Sequence, residues 1–267
     1  MTPILLSWHD LAIAALLVVV DGALSLWLGL ALHRQLFIAA ARMVVQLIAV
    51  GFVLRAVFYA DHPALTALVL LAMAAMAARE VAARPQARFG RFGNFTIGAG
   101  AVGMATILTA TLALTTAIRP DPWYAARYAI PLAGIVLGNV MNASSLALDS
   151  LLGGVAAERV AIEAQLCLGA NFRAALLPLI RASIRRALLP TVNTMSAAGI
   201  ITLPGIMTGQ ILAGMDPIEA VKYQILLMFL LAGGSGIGAV ATVYLAAARL
   251  TDERQRLRLD RLVRKPV

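Results

Sequence analysis

The residues of this chain that could do chemistry sit inside apolar runs, where polar groups are rare. Asp21 stands near the middle of one run, and Arg42 and Gln46 lie in the next. A charge at mid-bilayer costs at least about 2.5–3.5 kcal/mol on insertion scales, so such groups face protein or water. Arg42, about 6 Å along a helix from the depth of Gln46, is placed to reach Asp21. That supports either an ion pair fixing two helices or a carboxylate on a substrate path. A later run, IPLAGIVLGNVMNASSLAL, gathers Asn139, Asn142, Ser144 and Ser145 after the pair Gly134 and Gly138. Spacing of the GxxxG type lets helices approach closely, and polar groups in lipid need partners. The next run, PTVNTMSAAGIITLPGIMTGQILAG, carries Asn193, Thr194, Met195, Ser196, Met207 and Gln210, and is broken by Pro190, Gly199, Pro204, Gly205 and Gly209. Irregular backbone at membrane depth survives only against protein or a wet cavity, and broken helices often mark transport sites. An ordinary kinked packing helix is the competing reading.

Enzyme-like patterns are discounted. GGSGIG, from Gly233 to Gly238, lies within an apolar run and not after a strand, which excludes a dinucleotide loop. Ser235 as a nucleophile would need a base at its depth, and His9, His33 and His62 all lie near run ends. Gly234 and Gly238 read as a packing pair. Neither Lys222 nor Lys265 follows a glycine, so the chain has no phosphate-binding GxxxxGK[ST] loop. The histidines form no zinc signature, and the lone Cys167 excludes an internal disulfide.

The elements that must position these groups follow from composition. The chain has 267 residues, of which 61% are hydrophobic and 13% charged. Soluble domains carry about 25% charged residues, so an ordinary soluble or disordered protein is excluded. The expected class is all-α: a polytopic membrane protein of about seven transmembrane helices in one permease domain covering residues 1–267. The seven runs are Leu11–Leu32, Leu36–Val57, Pro63–Ala83, Phe95–Ile118, Tyr128–Leu148, Pro190–Ala213 and Tyr223–Ala248, each near the roughly 20 residues that a span requires. The stretch of about 149–189 is expected to be a cytosolic, helix-rich segment, and the tail from Thr251 to be charged and too short to fold alone.

Net charge is +9. The basic residues fall between apolar runs, which points to membrane topology and away from nucleic acid. Seventeen of the 22 lie on one side of the seven-span scheme, in the loops after the first, third and fifth runs and in the tail. The positive-inside bias then places the N-terminus outside and the C-terminus in the cytosol. No Lys or Arg precedes the first run, so that run is expected to stay in the membrane.

Two stretches carry a resemblance. EAQLCLGA, from Glu163 to Ala170, resembles the EAA loop of ABC transporter permeases at Glu163, Ala164 and Gly169, although that loop's later Ile-x-Leu-Pro is not at its usual offset. PLAGIVLGNVMNASSLAL and LPTVNTMSAAGIITLPGIMTGQILAGMDPIEAVKYQI resemble the Fet-type (FetB-like) iron-export permease family, which includes plant membrane subunits linked to aluminium tolerance. The motif match runs from about Pro131 to Ile225, with Ile135 and Ile206 where that family commonly has Met.

The resemblance implies a permease subunit of the cytoplasmic (inner) membrane that is not itself an enzyme. It implies two permeases paired with two separate ATP-binding subunits, no cofactor in this chain, and ATP and Mg held by the partner. Glu158, Glu163, Ala164 and Gly169 would couple to the ATPase. Asp21, Asn139, Met141, Asn142, Asn193, Met195, Pro204, Gly205, Met207 and Gln210 would line the path. Iron export is implied for bacterial members and nucleotide-sugar transport for plant relatives. For iron, the hard oxygens of Asp21, Asn139 and Asn142 are the candidate ligands; the methionines are soft packing residues. An ion-coupled secondary transporter using Asp21 is the alternative from another class.

Overall fold

The computed structural model describes residues 7–60, 62–90, 93–122 and 124–264. Arg91 and Lys265, two of the basic residues counted toward topology, lie outside them. Among the described residues the fold is all-α with one two-stranded ribbon. Six helices are long and apolar enough to cross a membrane. The chain divides into two units, one holding Met1–His62 with Leu212–Gly214 and the other holding the rest.

The first unit is a helix pair, α1 (Trp8–Trp27) and α2 (His33–Ala60). Helix α1 starts at a reciprocal cap. Ser7 Oγ accepts from the Asp10 amide, and the Asp10 carboxylate accepts from the Ser7 amide at 2.8 Å. Gly22 lets the Phe37 ring lie against α1, since a Cβ there would come within 2.4 Å of the ring.

The second unit is a bundle around α5 (Ala126–Ala157), which follows α3 (Pro63–Ala83) and α4 (Gly93–Leu112). Helix α4 runs on as a π-helical turn over Ala113–Ile118. Val136, Val140, Leu148, Leu151, Leu152 and Val155 form a fully buried stripe down α5. The last long helix, α9 (Pro217–Arg249), starts where Asp216 Oδ1 accepts from the Ile218 and Glu219 amides, with Pro217 in the first turn. Its Gly234 and Gly238 meet Val136, Val140 and Ser144 of α5 on one side and Thr109 and Ala105 of α4 on the other. The expected packing role of this pair holds. Of the other expected pair, only Gly134 makes a close approach, to Met73 of α3; Gly138 faces open space. These contacts set α3, α5 and α9 parallel and α4 antiparallel.

Between α5 and α9 the sixth run is broken, as its prolines and glycines predict, and the stretch before it is helical, as its composition predicts. What differs is the boundary, because one helix runs from the stretch through Pro190 into the run. Helix α5 continues to Ala157, α6 (Arg159–Cys167) forms a short turn, and α7 (Phe172–Ala197) begins well before Pro190. Hydropathy hid α7 because Arg173, Arg181, Arg185 and Arg186 are all exposed, while Phe172, Leu176, Leu179, Ile180, Ser183 and Ala187 are buried at helical spacing. Leu179 packs on Gly154 of α5, and Thr191 faces Asn139 and Asn142. Helix α7 therefore runs back along α5 and stops about midway. An irregular segment follows over 198–204, and then α8 (Gly205–Leu212). Ile206 packs with Leu114, Leu132 and Leu230 in the far half of the bundle. The crossing is thus completed in two pieces.

Length explains the rest. Helix α5 has 32 residues, about 48 Å of helix against about 30 Å of hydrocarbon. Helix α3, with 21 residues, is about one bilayer long. Its end lies level with Asn142, because Arg84 Nη1 donates to Asn142 Oδ1 at 2.6 Å. Asn142 therefore sits near one membrane surface and not at mid-span, and the last turns of α5 project beyond that surface with α6 and the start of α7.

The tail, too short to fold alone, takes its order by folding back on this end. Strand β1 (Ala87–Phe89) pairs antiparallel with β2 (Leu262–Arg264). Leu257, Leu259 and Leu262 pack on the core. Gln255 Oε1 accepts from the Phe172 amide at 3.0 Å, tying the tail to the start of α7. Asp252 organises the turn. It accepts from the Arg254 and Arg256 amides at 3.0 Å and from the Arg256 side chain at 2.9 Å. The Arg256 amide, its guanidinium and the nearby charges pull the Asp252 carboxyl down to about 2.

Two outcomes follow. Gly238→Ala places a methyl 2.5 Å from Val140 Cγ1 and is expected to cost about 1–3 kcal/mol by overpacking, read as a lower Tm in detergent. Gly236→Ala, with open space around it, should be neutral or slightly stabilising. For the tail, a carboxyl lowered in the fold contributes stability that is complete above its ordinary value of about 3.9. That contribution fades as pH falls toward about 2. Pepsin cleavage within residues 252–264, normalised to an unstructured substrate at the same pH, should therefore rise as pH falls across that interval in the wild type and change less in Asp252→Asn.

Candidate functional site

Polar groups converge where α5, α7 and α9 meet. Asn139 and Asn142 sit one helical turn apart on α5, and Thr191 and Thr194 one turn apart on α7. Met228 and Leu231 of α9 close a cavity of about 100 Å³ between them. Its size suits a few waters or one small ion. Asn139 Nδ2 donates to the Ile135 carbonyl at 3.0 Å, which leaves its oxygen available to the cavity. Thr194 Oγ1 donates back to the Pro190 carbonyl at 2.9 Å, at the turn where proline cannot donate an amide. Asn142 Oδ1 already holds Arg84, whose guanidinium also lies 3.7 Å from Glu80. Arg84 is the participant that sequence reasoning missed, since it was counted only as a loop charge. The signal available was its position one residue past the end of a span.

The break lies above this cavity. Gly199 takes φ +85, a left-handed conformation that disfavours side chains, and its amide donates to the Thr202 carbonyl at 2.9 Å. Ile200, Ile201 and Leu203 are 89%, 80% and 63% exposed. Below the break, Asn193 and Met195 are exposed and neither lines the cavity; Asn193 points away from Thr191, and Met195 stands one turn beyond it. Met141 is half-buried against the hydrophobic core. Pro204 ends the irregular segment, Gly205 begins α8, and Met207 is half-buried on it. Gln210 Oε1 is buried with no hydrogen-bond partner among the described residues, a polar group awaiting one. In the other unit, Asp21 is exposed on α1 and Arg42 on α2. No group of three or more His, Cys, Asp or Glu able to hold a metal occurs among the described residues. Ser235 is fully buried within α9.

The expected coupling residues form a compact element. Glu158 ends α5 and starts α6. Gly169 follows α6 with φ +91, the left-handed turn that stops a helix. Ile162 is buried and anchors α6, while Val160 and Leu168 are 79% and 89% exposed. Glu163, expected to couple to a partner, is paired with Arg159 of its own helix at 2.9 Å. Both side chains are exposed, and such pairs are weak.

Comparison with known proteins places this architecture. The chain is 42% identical over 246 residues to a membrane protein of Synechocystis, slr1647, covering 90% of this chain and 93% of that one. It is 36% identical to the probable iron export permease protein FetB of Escherichia coli, covering 96% and 97%. It is 34% identical to the membrane protein STAR2 of rice, covering 87% and 79%. No solved structure matches the chain at a significant level. The model of the uncharacterised protein family UPF0014 matches residues 8–251, and this multi-pass membrane protein with its broken crossing belongs to that family.

Proposed function

We propose that the chain is the membrane-spanning permease subunit of an ABC transporter that exports iron, driven by a separate ATP-binding subunit. The observation that carries this reading is α6. It is a nine-residue helix with exposed Val160 and Leu168, held on the projecting ends of two long helices. An apolar knob on rigid levers suits a nucleotide-driven partner and has no role in a lone ion-coupled carrier. The name of the E. coli relative supplies the cargo class. The projecting end, which carries most of the arginines, is assigned to the cytosol.

The mechanism follows from the levers. Closure of the partner ATPases displaces α6 and, with it, the ends of α5 and α7. From Ala157 to Asn142 is about 22 Å of helix, and from Phe172 to Pro190 about 27 Å. Movement at α6 thus reaches the cavity directly. Pro178 and Pro190 lie within α7 and give it places to bend. A second copy of the chain covers the exposed break at Ile200 and Ile201, giving the two-plus-two assembly. The cavity between the asparagines and threonines is the waypoint for cargo.

Arg84 favours a second reading of the cargo. A guanidinium on Asn142 opposes a bare cation and suits an anionic or chelated one, such as a nucleotide sugar or an iron complex.

The ATP-binding partner should co-purify with the wild-type chain. Glu163→Lys and Gly169→Pro should weaken that association while leaving membrane insertion intact; full association in both variants would remove α6 from the docking role. For cargo, alanine at Asn139 and Asn142 together should lower iron efflux from cells at normal expression. Arg84→Gln separates the two cargo readings: efflux of a bare cation should hold or rise, and that of an anionic species should fall by about tenfold or more, the loss of one charge-assisted contact.

A further inference from the structure

A second polar site lies outside the cavity, where α3 ends and α4 begins. There a cleft of about 570 Å³ is lined by the polar Arg79, Arg88 and Asn94 and by the apolar Met76, Ala82 and Phe95, of which Met76 lies deepest along α3. Three observations bear on what it holds.

Asn94 is 3% exposed, and its Nδ2 has no hydrogen-bond partner among the described residues. The orientation of its amide is fixed. Oδ1 accepts from the Phe89 amide at 3.0 Å, so the unpaired group is a donor. A buried donor left unmet costs about 1–3 kcal/mol, and this one lines a cleft.

Neither arginine has a carboxylate partner among the described residues. Arg88 Nε donates to the Pro85 carbonyl at 3.2 Å and its Nη2 to the Ala83 carbonyl, so its charge is oriented by main chain and left unneutralised. Arg79 makes no ion pair among the described residues. On the other side of the α4 start, Arg249 already holds the Gly93 carbonyl and Thr96 Oγ1 at 2.9 and 2.7 Å. The first turn of α4 is therefore occupied on that side and open on the Asn94 side, where the helix dipole adds positive potential.

Position decides the ligand. Helix α3 is about one bilayer long, so Arg79 and Arg88 lie at the membrane surface. Met76 is 45% and Phe95 36% exposed, and they continue the apolar face of the two helices into the hydrocarbon. Two cations and an amide donor stand over an apolar floor, at the level of lipid headgroups. An acidic protein surface would satisfy the arginines but leave the floor unused.

We propose that this cleft binds an anionic phospholipid, its phosphate held by Arg79, Arg88 and Asn94 Nδ2 and an acyl chain lying along Met76 and Phe95. The site is separate from the cargo cavity and from α6, and it does not depend on the transport reading.

The test uses the full chain purified in detergent and native mass spectrometry, titrating phosphatidylglycerol against phosphatidylcholine of the same acyl chains. The wild type is expected to retain one phosphatidylglycerol in preference to phosphatidylcholine, undisturbed by inorganic phosphate. The R79Q/R88Q double variant should lose about tenfold or more in affinity. R79K/R88K, which keeps charge but not the planar fork, should lose less. Asn94→Asp keeps the acceptor for Phe89, removes the donor and repels phosphate, and should weaken phosphatidylglycerol binding in the fraction that remains folded. Equal retention of both lipids, or equal phosphatidylglycerol binding in wild type and R79Q/R88Q, would overturn the proposal. Displacement by inorganic phosphate would reassign the site to a free anion. Loss of the ATP-binding partner from R79Q/R88Q with lipid binding intact would reassign the face to protein docking.

Discussion

The approach of α9 to α5 at Gly234 and Gly238 is the constraint on which the bundle rests. Val140 lies where a Cβ on Gly238 would stand, so the two helix axes come closer than any larger residue permits. Between lipid tails there is no water to expel, and close packing with small residues is what holds helices together. The same contact fixes the vertical register of α5 against α9 and α4. From that register come the level of Asn142, the projection of α5 beyond the bilayer and the place where α7 must end.

A second constraint acts on α7 and α8. Hydrocarbon does not tolerate unpaired backbone, yet residues 198–204 leave the helix in mid-crossing. Local bonds repair part of the break: Gly199 to Thr202, and Ile201 and Thr202 back to Ala197. The exposed isoleucines and the unmet Gln210 oxygen mark what remains to be covered. The polar cavity sits directly below, where Pro190 has already weakened α7. Side-chain polarity and backbone irregularity thus follow one another along α7, the cavity nearer the membrane surface and the break at mid-crossing, next to the α5 and α7 helices that lead to α6.

Legibility in the sequence followed the physics of each element. Spans with uniform hydropathy were readable almost to the residue, as with Pro63–Ala83. The packing pair Gly234 and Gly238 was readable because its spacing alone defines a face. Asn139 and Asn142 were readable as a polar cluster, but their depth was not, since depth depends on how far α5 projects and only the register with α3 reveals it. Helix α7 was legible as helical composition but not in its extent, because its arginines lower mean hydropathy while its buried stripe runs at helical period. The tail was illegible for another reason. Its order comes from pairing with residues 87–89 and from the Phe172 amide, contacts that sequence spacing does not encode.

Charge has more than one role at the projecting end. The sequence offers one explanation for its arginines, the orienting bias of membrane insertion. The structure divides them. Arg249 and Arg261 bind main-chain carbonyls and close the tail onto α4 and α9. Arg256 and Arg258 neutralise Asp252 and Asp260. Those on α7 form a solvated face that lets an amphipathic helix enter the bundle from outside the hydrocarbon. Arg84 reaches into the membrane edge to hold Asn142. Topology asks only that positive charge stand on one side, so it leaves each arginine free to be aimed. An arginine aimed at an acidic side chain or a carbonyl has its function within the fold. One left at the bilayer edge beside an unmet donor has its function toward something outside it.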